Sequence, residues 1–187
     1  MRIDELKSIA RENGIVGAGG AGFPAYAKMT DKADTVILNC VECEPLLKLH
    51  RQLLAAHTEE IIGMLDEVRE AFGAKEAVVG IKSEYVTTIK AVEAVLGKFP
   101  KVRICALKAA YPMGDEVVLI YEATGRVIKP GGLPIDENVV VYNVETMYNL
   151  YEAVYNNTPV SSKLVSIVGE IDNPATVRVP LGTTVKD

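Results

Sequence analysis

Four short segments hold most of the residues whose types and spacing could do chemistry. GIVGAGGAGFP carries Gly17, Gly19, Gly20 and Gly22, with Lys28 just beyond; NCVECEP carries Asn39, Glu42 and Glu44; YPMGDE carries Tyr111, Gly114, Asp115 and Glu116; and YNVET carries Asn143 and Thr146. A glycine run brings backbone N–H groups close to an anion or a flat ring edge, because no Cβ blocks the approach, and Lys28 could neutralise a phosphate. Carboxylates repel phosphate but accept hydrogen bonds from ribose hydroxyls, a carboxamide or a flavin ring N–H. Together these groups suit a dinucleotide or a flavin. Each segment alone also has a plainer reading. The glycines follow a helical pattern rather than a strand and match neither G-x-G-x-x-G nor the Walker pattern, so a structural turn stays open. Isolated acids are usually solvated charges or helix caps.

Cys40 and Cys43 form a C-x-x-C, and Cys105 is the third cysteine. Three thiols are too few for a disulfide framework or a four-thiolate iron–sulfur cluster. Zinc would need two further ligands, and the only histidines, His50 and His57, fall in the next helical stretch without the usual pairing. No metal site is expected. Packing or site-lining thiols are the default, with Cys105 in the core.

The elements that must position these segments follow from periodicity. Ile3, Leu6, Ile9 and Ala10 fall at helical spacing and stop at Gly14. Thr35 to Leu38 reads as a buried strand. One long helix is expected from Leu47 to Phe72, on the stripe Leu53, Leu54, Ile61, Leu65, Val68 and Phe72. Glu76 to Ile81 is a second strand, Val86 to Val95 a helix and Val102 to Leu107 a third strand. Asp115 and Glu116 open a helix that Gly125 closes, KPGGLP is a loop, and Val139 to Tyr142 is a fourth strand, after which Asn143 could cap another helix. Alternation of strand and helix implies an α/β fold: a Rossmann-like parallel sheet flanked by helices. In such sheets ligands lie beyond the carboxyl ends of the strands, where all four segments would converge. From residue 161 the character changes to short strand-like runs, KLVSIVGEI and TVRVP, which read as the beginning of a second small domain (161–187) after a main domain of 1–160.

Composition agrees with a folded, water-exposed protein. The 187 residues are 49% hydrophobic and 24% charged, with net charge -5. Basic residues are interspersed with acids, so no positive field exists to hold nucleic acid. No apolar run approaches the roughly 20 residues of a membrane helix, and the N-terminus is not a signal peptide. A cytoplasmic location is expected.

The four segments, in this order, resemble the complex I flavoprotein (51 kDa) subunit family. The cysteine in VECEP, the phrase YPMGDEVVLIYEATGR and the KPGGLP loop are similar to the branch with the Rnf complex C subunit, the propanediol-utilisation cobalamin reductases and the proline reductase-associated electron-transfer proteins. The chain departs from complex I relatives at Ala18, where they have arginine, and at Val41, where they have an acid. The resemblance implies FMN on the glycine loop, NADH as hydride donor, and no side chain acting as acid or base. By position, Gly17, Gly19, Gly20, Ala21, Gly22 and Lys28 would hold FMN, with Asn39, Glu42, Tyr111, Gly114, Asn143 and Thr146 completing the pocket. Phe23, Glu44, Asp115 and Glu116 would face the nicotinamide nucleotide. It also implies that 161–187 begins a β-grasp (SLBB-type) domain. Iron–sulfur clusters would lie in a further segment or a partner, and the whole could associate peripherally with a larger complex without inserting into a membrane. A side chain at Gly20 is expected to occupy cofactor space.

Overall fold

A computed structural model of the protein describes residues 1–186. The chain runs α1 (Ile3–Glu12), a 3₁₀ turn (Ala25–Lys28), β1 (Thr35–Cys40), α2 (Leu49–Ala56), α3 (Thr58–Phe72), β2 (Glu76–Lys82), α4 (Val86–Leu96) and β3 (Val102–Leu107). It continues with α5 (Glu116–Thr124), a second 3₁₀ turn (Pro134–Glu137), β4 (Val139–Asn143), α6 (Val144–Asn156), β5 (Ser162–Ile167) and β6 (Ala175–Pro180). Strands β1 to β4 form one parallel sheet in the order β3-β2-β1-β4. The α/β reading of the sequence agrees with this architecture.

Burial along β1 explains the layering. All six of its residues are buried, as expected for a strand covered on both faces. Val36, Leu38 and Cys40 join a large core with Leu6, Leu54, Ile61, Ile62, Leu65 and Leu150, whereas Ile37 and Val41 join a smaller one with Leu119, Ile120 and Val141. Helices α1 to α4 and α6 thus pack on one face, and α5, with Ile128 of the loop after it, covers the other. Because the chain leaves β1 for β2 on one side and returns to β4 on the other, a crevice opens beyond the carboxyl ends of β1 and β4.

The long helix expected over Leu47 to Phe72 is two helices, bent at His57 (φ -129, ψ 45). Its N–H closes α2 on Leu53 O at 3.0 Å, while its carbonyl accepts the Ile61 N–H at 3.0 Å to open α3. Thr58 Oγ1 donates to Leu54 O at 2.7 Å, a back-bond that bends helices. The apolar stripe crosses the bend in phase, which is why periodicity does not reveal it. Cys105 departs from the core expectation too: it is half-buried, because β3 is an edge strand.

β5 and β6 pair antiparallel as a separate hairpin. It is fastened to the main sheet by Glu145, buried in the first turn of α6, whose Oε1 accepts the Leu164 N–H at 3.0 Å and whose Oε2 accepts from Lys163 Nζ. No helix among the described residues is long and apolar enough to cross a membrane.

Removing the carboxylate with Glu145→Ala deletes two charge-assisted hydrogen bonds, worth about 1.5–3 kcal/mol each when shielded. Amide exchange in β5 and β6 is expected to speed up by at least about tenfold, while exchange in β1 and β2 stays unchanged; equal acceleration in both would contradict a local clamp.

Candidate functional site

The glycine segment folds into a closed loop. Gly17 N–H donates to Phe23 O at 2.7 Å, Ala25 N–H donates to Ile15 O at 3.0 Å, and Val16 bridges Pro24, so residues 18–22 form a tip tied at its base. Gly20 (φ 125) and Gly22 (φ 64) lie in the left-handed half of backbone space, which explains glycine at both. Ala18 N–H donates to Thr146 Oγ1 at 2.9 Å, anchoring the loop to the start of α6. Gly19 lies so close to Asn143 that a Cβ there would run into its side-chain amide.

The second segment leaves β1 on the α5 side. Asn39 Nδ2 donates to Gly114 O at 2.9 Å and its Oδ1 accepts the Val41 N–H at 2.9 Å. This one side chain therefore joins NCVECEP to YPMGDE. Gly114 packs against Val41 O and Cys43 Sγ, leaving no room for a side chain. Asp115 caps α5, accepting the N–H groups of Val117 and Val118 at 3.0 and 3.2 Å. Asn143 occupies the residue before α6, but its side chain makes no capping bond; it lines the cleft instead.

Between these segments lies a cleft of about 430 Å³. Its wall includes Gly17, Gly19, Ala21, Phe23, Lys28, Asn39, Glu42, Glu44, Gly114, Glu116 and Asn143 from the residues singled out in the sequence. All four segments contribute. Five others from that set stand off the wall. Gly20 and Gly22 are in the exposed tip, Tyr111 is 82% exposed, Asp115 is spent on its cap, and Thr146 is buried behind the loop it holds. A Cβ at Gly20 meets nothing within 4 Å, so the steric argument belongs at Gly19. Cys43 lines the cleft, in keeping with the site-lining reading of its thiol, whereas sequence reasoning passed over Val41, Leu47 and Val141, and His50 as anything beyond a possible metal ligand; all of these line the cleft as well. Their signal was position in the motifs or directly after them. A smaller apolar pocket of about 230 Å³ lies alongside, between Phe23, Leu133, Ile135 and β4, and shares Lys28 and Glu116 with the cleft.

The charges are arranged unevenly. Lys28 Nζ contacts Glu116 Oε1 at 3.1 Å and donates to Val141 O at 3.4 Å. Glu42 is buried; its Oε1 accepts the His50 N–H at 2.7 Å, and its Oε2 lies 3.7 Å from Arg51 Nε, beyond hydrogen-bond reach. Burial raises the Glu42 carboxyl above its ordinary range, opposed by the His50 N–H and the Arg51 charge. Arg51 lies over the Tyr85 ring at 4.5 Å. Burial, with a contribution from Lys163, pushes His50 down to about 4. A cation, backbone without Cβ groups and two shielded polar side chains can hold a ligand that combines an anion with a flat polar ring.

The architecture and this cleft define an α/β nucleotide-cofactor domain with its site at a strand-order reversal. The chain belongs to the family of the Nuo51 FMN-binding domain, which matches residues 10–152. It is 37% identical over 182 residues to cobalamin reductase PduS of Citrobacter freundii, across 97% of this chain and 40% of that protein. It is 32% identical to the Na⁺-translocating ferredoxin:NAD⁺ oxidoreductase complex C subunit of Acetobacterium woodii, across 97% of this chain and 42% of the relative. The chain therefore spans about two fifths of the length of these relatives. A solved NAD⁺-reducing [NiFe]-hydrogenase shares the fold, with a TM-score of 0.81 at 24% identity over 97% of this chain and 37% of that one.

The depressed His50 value carries a sign that can be checked. Between about pH 6.5 and 4 the unfolded chain binds a proton that the folded one refuses, so acidification through that window destabilises the fold. Glu42, shifted upward, acts in the opposite direction and is common to native and variant chains. Urea unfolding at pH 7 and pH 4.5 is expected to show a smaller acid loss for His50→Gln than for the native chain, by about 2 kcal/mol. Equal losses would contradict a buried neutral imidazole.

Proposed function

We propose that this domain holds FMN in the cleft and receives hydride from NADH, serving as the electron-input module of a longer or multi-subunit oxidoreductase. The observation that supports it most directly is the convergence of four separate segments, in a chain of the Nuo51 FMN-binding family, on one cleft at the strand-order reversal. The residues present fit the cofactor. Gly17 and Gly19 give backbone access, Lys28 supplies a cation for phosphate, and the shielded polar atoms of Glu42 and His50 have no hydrogen-bond partner among the described residues.

When bound, FMN supplies hydride acceptance and the conversion of two-electron to one-electron transfer. The chain's own residues bind and orient. Gly17, Gly19, Ala21 and Lys28 take the phosphate side, Asn39, Glu42 and Gly114 shape the ring side, and Asn143, against Gly19, stands between them. Gly20 and Gly22 supply the loop's backbone angles, and Thr146 holds the loop in place. Phe23, Glu44 and Glu116 border the apolar pocket or the cleft mouth and are assigned to the nicotinamide nucleotide. Asp115 serves them indirectly by starting α5. Tyr111, exposed and off the cleft wall, is given no contact with the bound cofactor. Lys28 must exchange Glu116 for a phosphate, which would free that carboxylate for ribose hydroxyls.

PduS is named for reduction of cobalamin and the Acetobacterium protein for a ferredoxin:NAD⁺ couple. The shared element is redox chemistry with distinct second partners, and an iron–sulfur domain or subunit is the proposed onward acceptor. Residues 161–187 are assigned to the start of a β-grasp unit, and the domain to a cytoplasmic complex.

The 187-residue chain incubated with FMN is expected to retain a yellow chromophore that anaerobic NADH bleaches. A yellow chain that NADH leaves unchanged would favour a flavin-holding scaffold, and a chain that cannot retain flavin would refute the assignment. Gly19→Ala displaces Asn143 from the wall, so FMN affinity measured by flavin fluorescence should fall at least tenfold with the thermal midpoint nearly unchanged. Native affinity in this folded variant would place the cofactor elsewhere.

A further inference from the structure

Glu42 Oε2 and His50 Nδ1 are shielded from solvent and have no hydrogen-bond partner among the described residues. Both residues line the cleft, and the His50 N–H donates to Glu42 Oε1 at 2.7 Å, so they are held side by side at the start of α2. Shielded polar atoms without partners are costly and few in native proteins. The Glu42 carboxylate is faced by Arg51, at 3.7 Å from Oε2, and by the Tyr85 hydroxyl. His50 Nδ1 has no such compensation, and the family resemblance gives this histidine no role.

Its chemistry narrows what it can do. With its pKa pushed down to about 4 by burial and by Lys163, the ring is neutral at physiological pH and offers one N–H and one lone pair. A neutral imidazole cannot serve as counter-charge to a phosphate; Lys28, paired with Glu116 and Val141 O, is the cation on the cleft wall. The cleft thus has a cationic wall at Lys28 and an uncharged-donor wall at α2, where an acceptor carboxylate stands beside an imidazole. A ring bearing both N–H and carbonyl groups complements that pair, whereas a phosphate does not.

We propose that His50 is a cofactor-binding residue whose imidazole hydrogen-bonds a heteroatom of the flavin ring, beside Glu42 and on the wall opposite in character to Lys28. The inference rests on the FMN reading above and adds an orientation to it: ring toward α2, phosphate toward Lys28 and the glycine loop.

The test separates ring from phosphate. FMN and riboflavin are titrated against the 187-residue chain by flavin fluorescence, and inorganic phosphate is titrated as a competitor of FMN. His50→Phe keeps a ring of similar size and removes both nitrogens. It is expected to weaken FMN and riboflavin alike by about tenfold, the effect of one lost hydrogen bond, while the phosphate inhibition constant stays within twofold. His50→Asn, which returns a polar atom near the position of Nδ1, should recover most of the loss. Should the phenylalanine variant fail to fold, His50→Leu takes its place in the comparison with asparagine. Flavin affinity within twofold of native in the folded apolar variant, or an equal loss with asparagine, overturns the assignment of His50 alone. A native chain that binds neither flavin overturns the FMN reading with it.

Discussion

The Thr146 hydroxyl accepts the Ala18 N–H across 128 residues of sequence, and most of the site depends on the place where this happens. It is the turn from β4 into α6. Asn143 on that turn packs beneath Gly19, Glu145 clamps the β5–β6 hairpin, and Thr146 holds the glycine loop. A flexible loop gains a fixed position only where rigid structure supplies partners for its backbone. Here one buried helical turn provides them for two otherwise separate parts of the chain.

Around that turn, polar groups divide into those that build the cleft and those left for a ligand. Asn39 uses both ends of its amide on Gly114 and Val41, and Asp115 uses its carboxylate on α5. They are satisfied and rigid. Lys28 has partners it could exchange, and Glu42 and His50 each keep an atom without one. A site pre-shaped in this way orders few side chains on binding, which limits the entropy lost.

Much of the fold was legible because strand and helix periods differ and glycine or proline mark the junctions. β2, α4, β3 and the αL glycine at Gly125 fall where patterning places them. The bend at His57 was hidden because the apolar stripe stays in phase through it, and the His57 backbone angles and the Thr58 back-bond reveal the break. In the site, motif membership located the four segments but could not say which face each residue shows. Thus Tyr111 is exposed off the wall and Thr146 lies behind it, although both belong to motifs. His50 was legible only as a conceivable metal ligand, since nothing local in LLKLHR signals that its ring turns toward a cleft.

The single-helix cover of one sheet face has a further implication. Helix α5, joined by Met113 before it and Ile128 after it, shields Ile37, Val78 and Val141, and its start carries Gly114, Asp115 and Glu116. Cooperative units of local opening follow such boundaries. Lifting α5 would expose Ile37, Val78 and Val141 and dismantle one wall of the cleft in the same event. Ligand exchange through that side would therefore require subglobal unfolding of the nine-residue α5, which leaves the loop-bounded mouth as the low-energy route for traffic and the loops, not the helix, as what sets the residence of a bound molecule.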